Sequence, residues 1–202
     1  DKVTDLLYAC YDAASSGGSY KKIFSAITER YEQIIEGLSL NVNLDYEFKT
    51  IEENFLAGKG RDYAASRGEY LNGIIMASYF GYEFIDAAEV VLFDENGVFL
   101  PEKTNAELSA RLAKSPRAVI PGFYGSMPDG TVKPFSRGAS DITGSPVARA
   151  VHADLYENWT DVSGFLVTDP RIVDNPKTIE TITYRELREL SYMGASVLHE
   201  EA

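Results

Sequence analysis

Apolar residues recur at helical spacing through the first third of the chain. Val3, Leu6, Leu7, Cys10, Tyr11 and Ala14 form one such series, which Gly17-Gly18 interrupts. Ile23, Phe24, Ile27, Tyr31, Ile34, Ile35 and Leu38 predict a longer second helix. Leu44, Phe48, Ile51 and Phe55 predict a third, ending near Gly58 and Gly60. Lys and Glu fill the opposite faces, as in solvated helices with one packed side. After Arg61 the texture changes. Ser66-Arg67-Gly68-Glu69 precedes an apolar helix through Leu71, Ile74, Ile75 and Ser78, which Gly81 closes. Strands are predicted at Phe84-Ile85 and Val90-Val91-Leu92-Phe93, with Asp94-Glu95-Asn96-Gly97 as a turn. A helix over 104–112 leads to a buried strand, Ala118-Val119-Ile120, that runs into Pro121-Gly122. A helix over 138–153, strands over 155–160 and 179–182, and a helix over 183–192 follow. This alternation predicts an α/β fold with a mostly parallel sheet covered by helices. No internal repeat or low-complexity linker divides it, so a single domain is expected. A doubly wound sheet normally opens with a strand, whereas this chain opens in a helical pattern; an incomplete domain is expected.

Charge narrows the function. The 202 residues carry 31 Asp and Glu against 19 Lys and Arg, a formal net charge of −12. That balance disfavours nucleic-acid phosphates and anionic membrane surfaces as partners. It does not exclude a small anion, because a local Arg or a helix N-terminus overrides the global sign. The single cysteine, Cys10, has no internal disulfide partner, and with only His152 and His199 no Cys-His zinc site is expected. No apolar run approaches the ~20 residues of a membrane span, and the first residues lack the pattern of a signal peptide. A cytoplasmic location is expected.

Three segments carry candidate chemistry. In the first, a strand ends in Pro121-Gly122-Phe123-Tyr124-Gly125, whose glycines let backbone approach a ligand. Phe135-Ser136-Arg137-Gly138-Ala139-Ser140-Asp141 then leads into a helix. Unpaired N–H donors at a helix start, the Arg137 fork and the Ser140 hydroxyl suit a carboxylate or phosphate. An ordinary capped helix fits the same spacing. In the second, Trp159-Thr160-Asp161 falls at a strand end, and Thr168-Asp169-Pro170-Arg171 follows; nucleotide contacts and routine turn chemistry both fit, and spacing alone favours the turn. In the third, Ser66-x-x-Glu69 has the form of a capping box, as do Thr104 with Glu107 and Thr183 with Glu186. On spacing alone Glu69 is structural. The histidines have no visible triad partners.

The chain contains no GxxxxGK[ST], GxSxG, HExxH or GxGxxG. Five ordered strings, SRGEYLNG at 66–73, PGFYGS at 121–126, FSRGASDITG at 135–144, ENWTDVSGFLVTDPRIV at 157–173 and TYRELRELSYMGASVLH at 183–199, resemble the aspartate kinases of the amino acid kinase superfamily. The resemblance covers essentially the whole chain. It implies a three-layer α/β/α, carbamate-kinase-like fold, here incomplete, and transfer of the ATP γ-phosphoryl group to the β-carboxylate of L-aspartate with Mg²⁺. By position it implies substrate contacts from Glu69, Arg137, Ser140 and Asp141, and nucleotide-side contacts from Gly122, Gly125, Thr160, Asp161, Arg171 and Ser196. A homo-oligomeric parent is also implied.

Four departures from the family pattern stand out. Ala139 replaces a glycine, Leu166 a tyrosine near the adenine, and Ser196 a lysine. The family's Lys-x-Gly-Gly-Ser strand and its regulatory ACT domains are absent from these residues, which implies a fragment of a catalytic domain, inactive alone because a principal electrostatic group is missing. Glutamate, acetylglutamate and uridylate kinases, or a non-catalytic ligand-binding module, are the alternatives. The paired SRGE and SRGASD segments favour an amino-acid substrate.

Overall fold

A computed structural model describes residues 2–135, 139–159, 164–168 and 173–192, with backbone alone for 139–141, 191 and 192. Four helices come first: α1 (Val3–Ser15), α2 (Lys21–Gly37), α3 (Asp45–Leu56) and α4 (Arg61–Phe80). Their buried faces, including Leu7, Ile27, Phe48, Phe55 and Leu71, form one apolar cluster, as the spacing predicts. Then come β1 (Glu83–Phe84), α5 (Ala87–Val90), α6 (Pro101–Lys114) and β2 (Ala118–Val119). β1 and β2 pair in parallel, a geometry that needs a crossover; α5 and α6 supply it. β3 (Tyr124–Ser126) and β4 (Val132–Pro134) form an antiparallel pair, followed by α7 (Ala139–Ala150) and α8 (Tyr184–Tyr192). A second apolar cluster gathers Ile85, Val90, Phe93, Leu108 and Tyr124. Tyr70 of α4 packs against both clusters and joins them.

Several elements differ from expectation. Helix α4 begins at Arg61, after Gly60 at φ +99°, so Ser66 lies inside it and not at its start. Ser66 is fully buried and donates to the Tyr63 carbonyl at 2.7 Å, so its capping box does not form. Thr104 is also interior, because Pro101 opens α6; its buried Oγ1 accepts the Leu92 N–H at 3.0 Å. Only Thr183 with Glu186 makes the reciprocal bonds: Thr183 N–H to Oε2 at 2.9 Å and Glu186 N–H to Oγ1 at 3.3 Å.

The strand expected over 90–93 is replaced at its start by α5. Asp86 caps that helix by accepting the Ala88 N–H at 2.9 Å, which closes a helical turn through Val90. Extension resumes at Val91, and Leu92 bridges Ser126. The turn at 94–97 forms as expected: Asp94 Oδ1 accepts the N–H groups of Asn96 and Val98, and Gly97 takes φ +74°. Residues 155–159 are not a strand, and Leu155 and Trp159 are 73% and 89% exposed. Residues 179–182 are reduced to a short pairing in which Leu166 bridges Thr178 and Ile179 N–H donates to the Phe165 carbonyl.

Candidate functional site

Helix α4 carries Glu69 on a turn tied down on several sides. Gly68 packs against Leu7 and Val3 of α1, and its carbonyl accepts the Tyr31 hydroxyl at 3.1 Å. One turn further on, the α-carbon of Gly73 lies against Phe84 and Pro121, where an added methyl would meet the Phe84 ring at 2.9 Å. Residues four apart share a helix face, so Glu69 lies on the side of α4 that meets Pro121. Glu69 is exposed as a residue, yet crowding around its carboxyl raises its pKa above the ordinary value through desolvation. Tyr31 is pushed up to about 12, first by burial and then by the Glu69 charge, which places the two side chains in one electrostatic neighbourhood.

The loop after β2 is held from both sides. Phe123 has φ +84°, unusual for a residue with a side chain, and cross-bonds keep it there. Its N–H donates to Thr143 Oγ1 of α7 at 3.3 Å, and its carbonyl accepts the Phe135 N–H at 2.8 Å. Phe135 packs tilted against Phe93 and edge-on against Phe99, with ring centroids 4.9 and 5.1 Å away. The chain on either side of 136–138 therefore anchors on Phe123. Gly125 is buried with its α-carbon against the Val91 carbonyl, so packing inside the protein accounts for this glycine. Gly122 instead lines a cleft of about 550 Å³, together with Ile120, Thr143, Val147, Tyr156 and Glu157. At Gly144 an added methyl would overlap the Tyr156 hydroxyl, so this glycine lets α7 and Tyr156 close one wall.

Of the expected substrate contacts, the structure has Glu69 on α4, four residues before Gly73 at Pro121, and the backbone of Ser140 and Asp141 in the first turn of α7. Arg137 lies outside the described residues, as do Thr160, Asp161, Arg171 and Ser196. Trp159, the residue before Thr160, follows directly on the cleft wall at Glu157; its indole donates to Glu157 Oε2 at 3.1 Å. Leu166 is described, half-buried in its bridge to Thr178.

Three residues near the site carry no role in the sequence pattern: Arg67, Asp86 and Tyr124. Arg67 is 6% exposed, and its guanidinium lies 4.5 and 4.4 Å from the ring centroids of Tyr63 and Tyr70. The signal was present, since Tyr63 and Tyr70 stand four before and three after Arg67 on one helix face. Reading Ser66 as a cap hid it.

A parallel strand pair joined by a helical crossover, with a strained loop opening on a cleft along α7, defines an α/β protein of the class in which ligands sit at strand ends. Residues 13–202 match the amino acid kinase family, and the chain belongs to it. Over its full length it is 39% identical to aspartokinase 3 of Bacillus subtilis (strain 168), of which it covers 47%. The crystal structure of Clostridium acetobutylicum aspartate kinase superposes on 100% of the chain with a TM-score of 0.92 and 54% identity, the match covering 46% of that chain. Escherichia coli aspartokinase III in complex with aspartate and ADP superposes with a TM-score of 0.79 and 25% identity, over 98% of this chain and 49% of that one. The chain thus spans about half the length of these relatives. The α/β fold expected from sequence is that of these neighbours.

Proposed function

We propose that residues 1–202 form part of one amino acid kinase catalytic domain, and that the complete protein phosphorylates the β-carboxylate of L-aspartate with ATP. The observation that carries this reading is the 54% identity and 0.92 TM-score to an aspartate kinase over the whole chain. The position of Glu69 on α4, one helical turn before Gly73 at Pro121, supports it. In this reading Glu69 receives the substrate ammonium, and Arg137 clamps a substrate carboxylate with its bidentate fork. Ser140 and Asp141 complete that side from the start of α7. Gly122, Thr160, Asp161, Arg171 and Ser196 belong to the nucleotide side, whereas Gly125 serves the packing of the loop against Val91.

A β-carboxylate oxygen attacks the γ-phosphorus, the bond to the bridging oxygen breaks, and ADP departs. The nucleophile is already ionised at neutral pH, so the protein's contribution is positioning and charge neutralisation. Magnesium belongs to the proposal as the companion of the ATP phosphates. Among the described residues no group of three His, Cys, Asp or Glu side chains comes together to hold an ion on protein ligands alone. No helix of the described residues is long and apolar enough to cross a membrane, and the proposed setting is a cytoplasmic homo-oligomer.

The test is ADP release by the complete protein with aspartate, glutamate, N-acetylglutamate and UMP offered separately. Aspartate alone should support turnover. Preference for another acceptor would replace the reading with another kinase of the family, and no turnover with any of them would favour a ligand-binding module.

A further inference from the structure

We infer that Arg67 is a positioning residue that couples the Glu69 turn of α4 to the loop at 122–125. The inference rests on the proposed reading of Glu69 as a substrate contact. A guanidinium stays charged at any physiological pH, and a buried charge ordinarily needs a carboxylate beside it. None of the ion pairs among the described residues involves Arg67. Its charge is met in another way. Nε and Nη2 donate to Ser66 Oγ at 3.0 and 2.9 Å, and the guanidinium faces Tyr63, Tyr70 and, at 5.4 Å, Tyr124. Rings whose faces carry negative quadrupole charge stabilise a cation in this position.

The third ring separates coupling from local packing. Tyr63 and Tyr70 belong to Arg67's own helix, whereas Tyr124 stands in β3 between the strained Phe123 and the confined Gly125. Tyr124 is fully buried, and its hydroxyl donates to Asp86 Oδ1 at 2.7 Å. Asp86 also holds the start of α5 through the Ala88 N–H. The tyrosine is thus fixed at its hydroxyl end to one element and takes the cation of another on its face. Glu69 is two residues from Arg67, so the same helical turn carries the caged cation and the exposed carboxylate. Without the cation, the α4 turn and the 122–125 loop lose the contact that sets their spacing.

The experiment uses the complete protein and two variants, Arg67→Met and Arg67→Lys. Methionine approximates the length without charge. Lysine keeps the charge but does not lie flat between two rings while donating twice to Ser66. In Arg67→Met, amide exchange should accelerate at 122–126 together with 66–72. The KM for aspartate should rise about 10-fold or more while the KM for ATP stays within about 2-fold, the pattern of a misplaced substrate contact. Arg67→Lys should fall between, and it carries the same readouts if the methionine variant does not fold. Faster exchange confined to 66–72, or an unchanged KM for aspartate in a folded variant, would overturn the inference. Wild-type protein inert toward aspartate would overturn the proposed function instead; exchange at 122–126 would still decide the coupling.

Discussion

Gly125→Ala puts the packing of the site loop to a quantitative test. A methyl at this position would overlap the Val91 carbonyl and meet Val91 Cγ1 at 2.7 Å. The obstacle is mostly backbone, so no side-chain rotation relieves it. The Val91 carbonyl also accepts the Ser126 N–H at 2.9 Å, and the Ser126 carbonyl accepts the Phe93 N–H at 2.9 Å. Any shift that makes room weakens this ladder. Overpacking costs about 1–3 kcal/mol, and a compromised hydrogen bond adds about 1 kcal/mol, for a total of ~2–4 kcal/mol. At ~2–4 °C per kcal/mol for a domain of this size, the Tm should fall by ~4–16 °C. Gly37→Ala is the control, since an added methyl there meets nothing within 4 Å; it should be neutral or stabilising by about 0.5 kcal/mol. Thermal melts of the complete protein and both variants decide it. A Gly125→Ala melt within about 2 °C of wild type would refute the assignment of this glycine to backbone packing.

Arg137→Lys should lower kcat/KM for aspartate by about 1–3 kcal/mol, because lysine keeps the charge and loses the fork; unchanged efficiency in steady-state kinetics would remove Arg137 from the carboxylate site. Burial raises the Glu69 pKa in the folded protein, so its contribution to stability is full below the ordinary glutamate range and is lost as pH rises through the raised value. Glu69→Gln should therefore leave the Tm at pH 7 unchanged or about 1 °C higher, with no difference near pH 4, while calorimetry shows aspartate binding lost. A lower Tm at pH 7 would mean that the carboxylate stabilises the fold. Trp159, the one tryptophan of these residues, is 89% exposed, so its emission should be that of a hydrated indole, readily quenched by acrylamide. Nucleotide bound beside Thr160 and Asp161 should shield it; binding heat without a spectral change would turn the indole away from the nucleotide.

The helices of the first third were legible because each has one packed face. Phe48, Ile51 and Phe55, for instance, announce α3 by their spacing alone. Helix α4 was harder to delimit, since it buries Ala64, Ala65, Ser66, Arg67, Leu71, Gly73, Ile75 and Ala77 around much of its girth and so shows little amphipathic rhythm. Pattern also misled where one motif serves two structures. Of the three Ser/Thr-x-x-Glu sequences that suggest capping boxes, only Thr183 with Glu186 stands at a true helix start, because Gly60 and Pro101 set the other two starts earlier. Strands fared worst, since pairing is non-local. The segment at 155–159 finds no strand partner among the described residues, and Leu155 and Trp159 lie exposed.

Glu69 came from the family resemblance, against a spacing that made it structural. The links of Tyr124 to Asp86 and to Arg67 span 38 and 57 positions of sequence, which no local pattern reveals; only the Tyr63 and Tyr70 part of the Arg67 cage is local.

The product of the proposed reaction gives its most direct test. An acyl phosphate on the aspartate side chain is trapped by hydroxylamine, and the resulting hydroxamate is identified by mass spectrometry. The complete protein, given ATP, Mg²⁺ and L-aspartate, should yield the β-hydroxamate of aspartate in step with ADP release, and glutamate should yield none. ADP release without hydroxamate, or hydroxamate formed equally from glutamate, would contradict it.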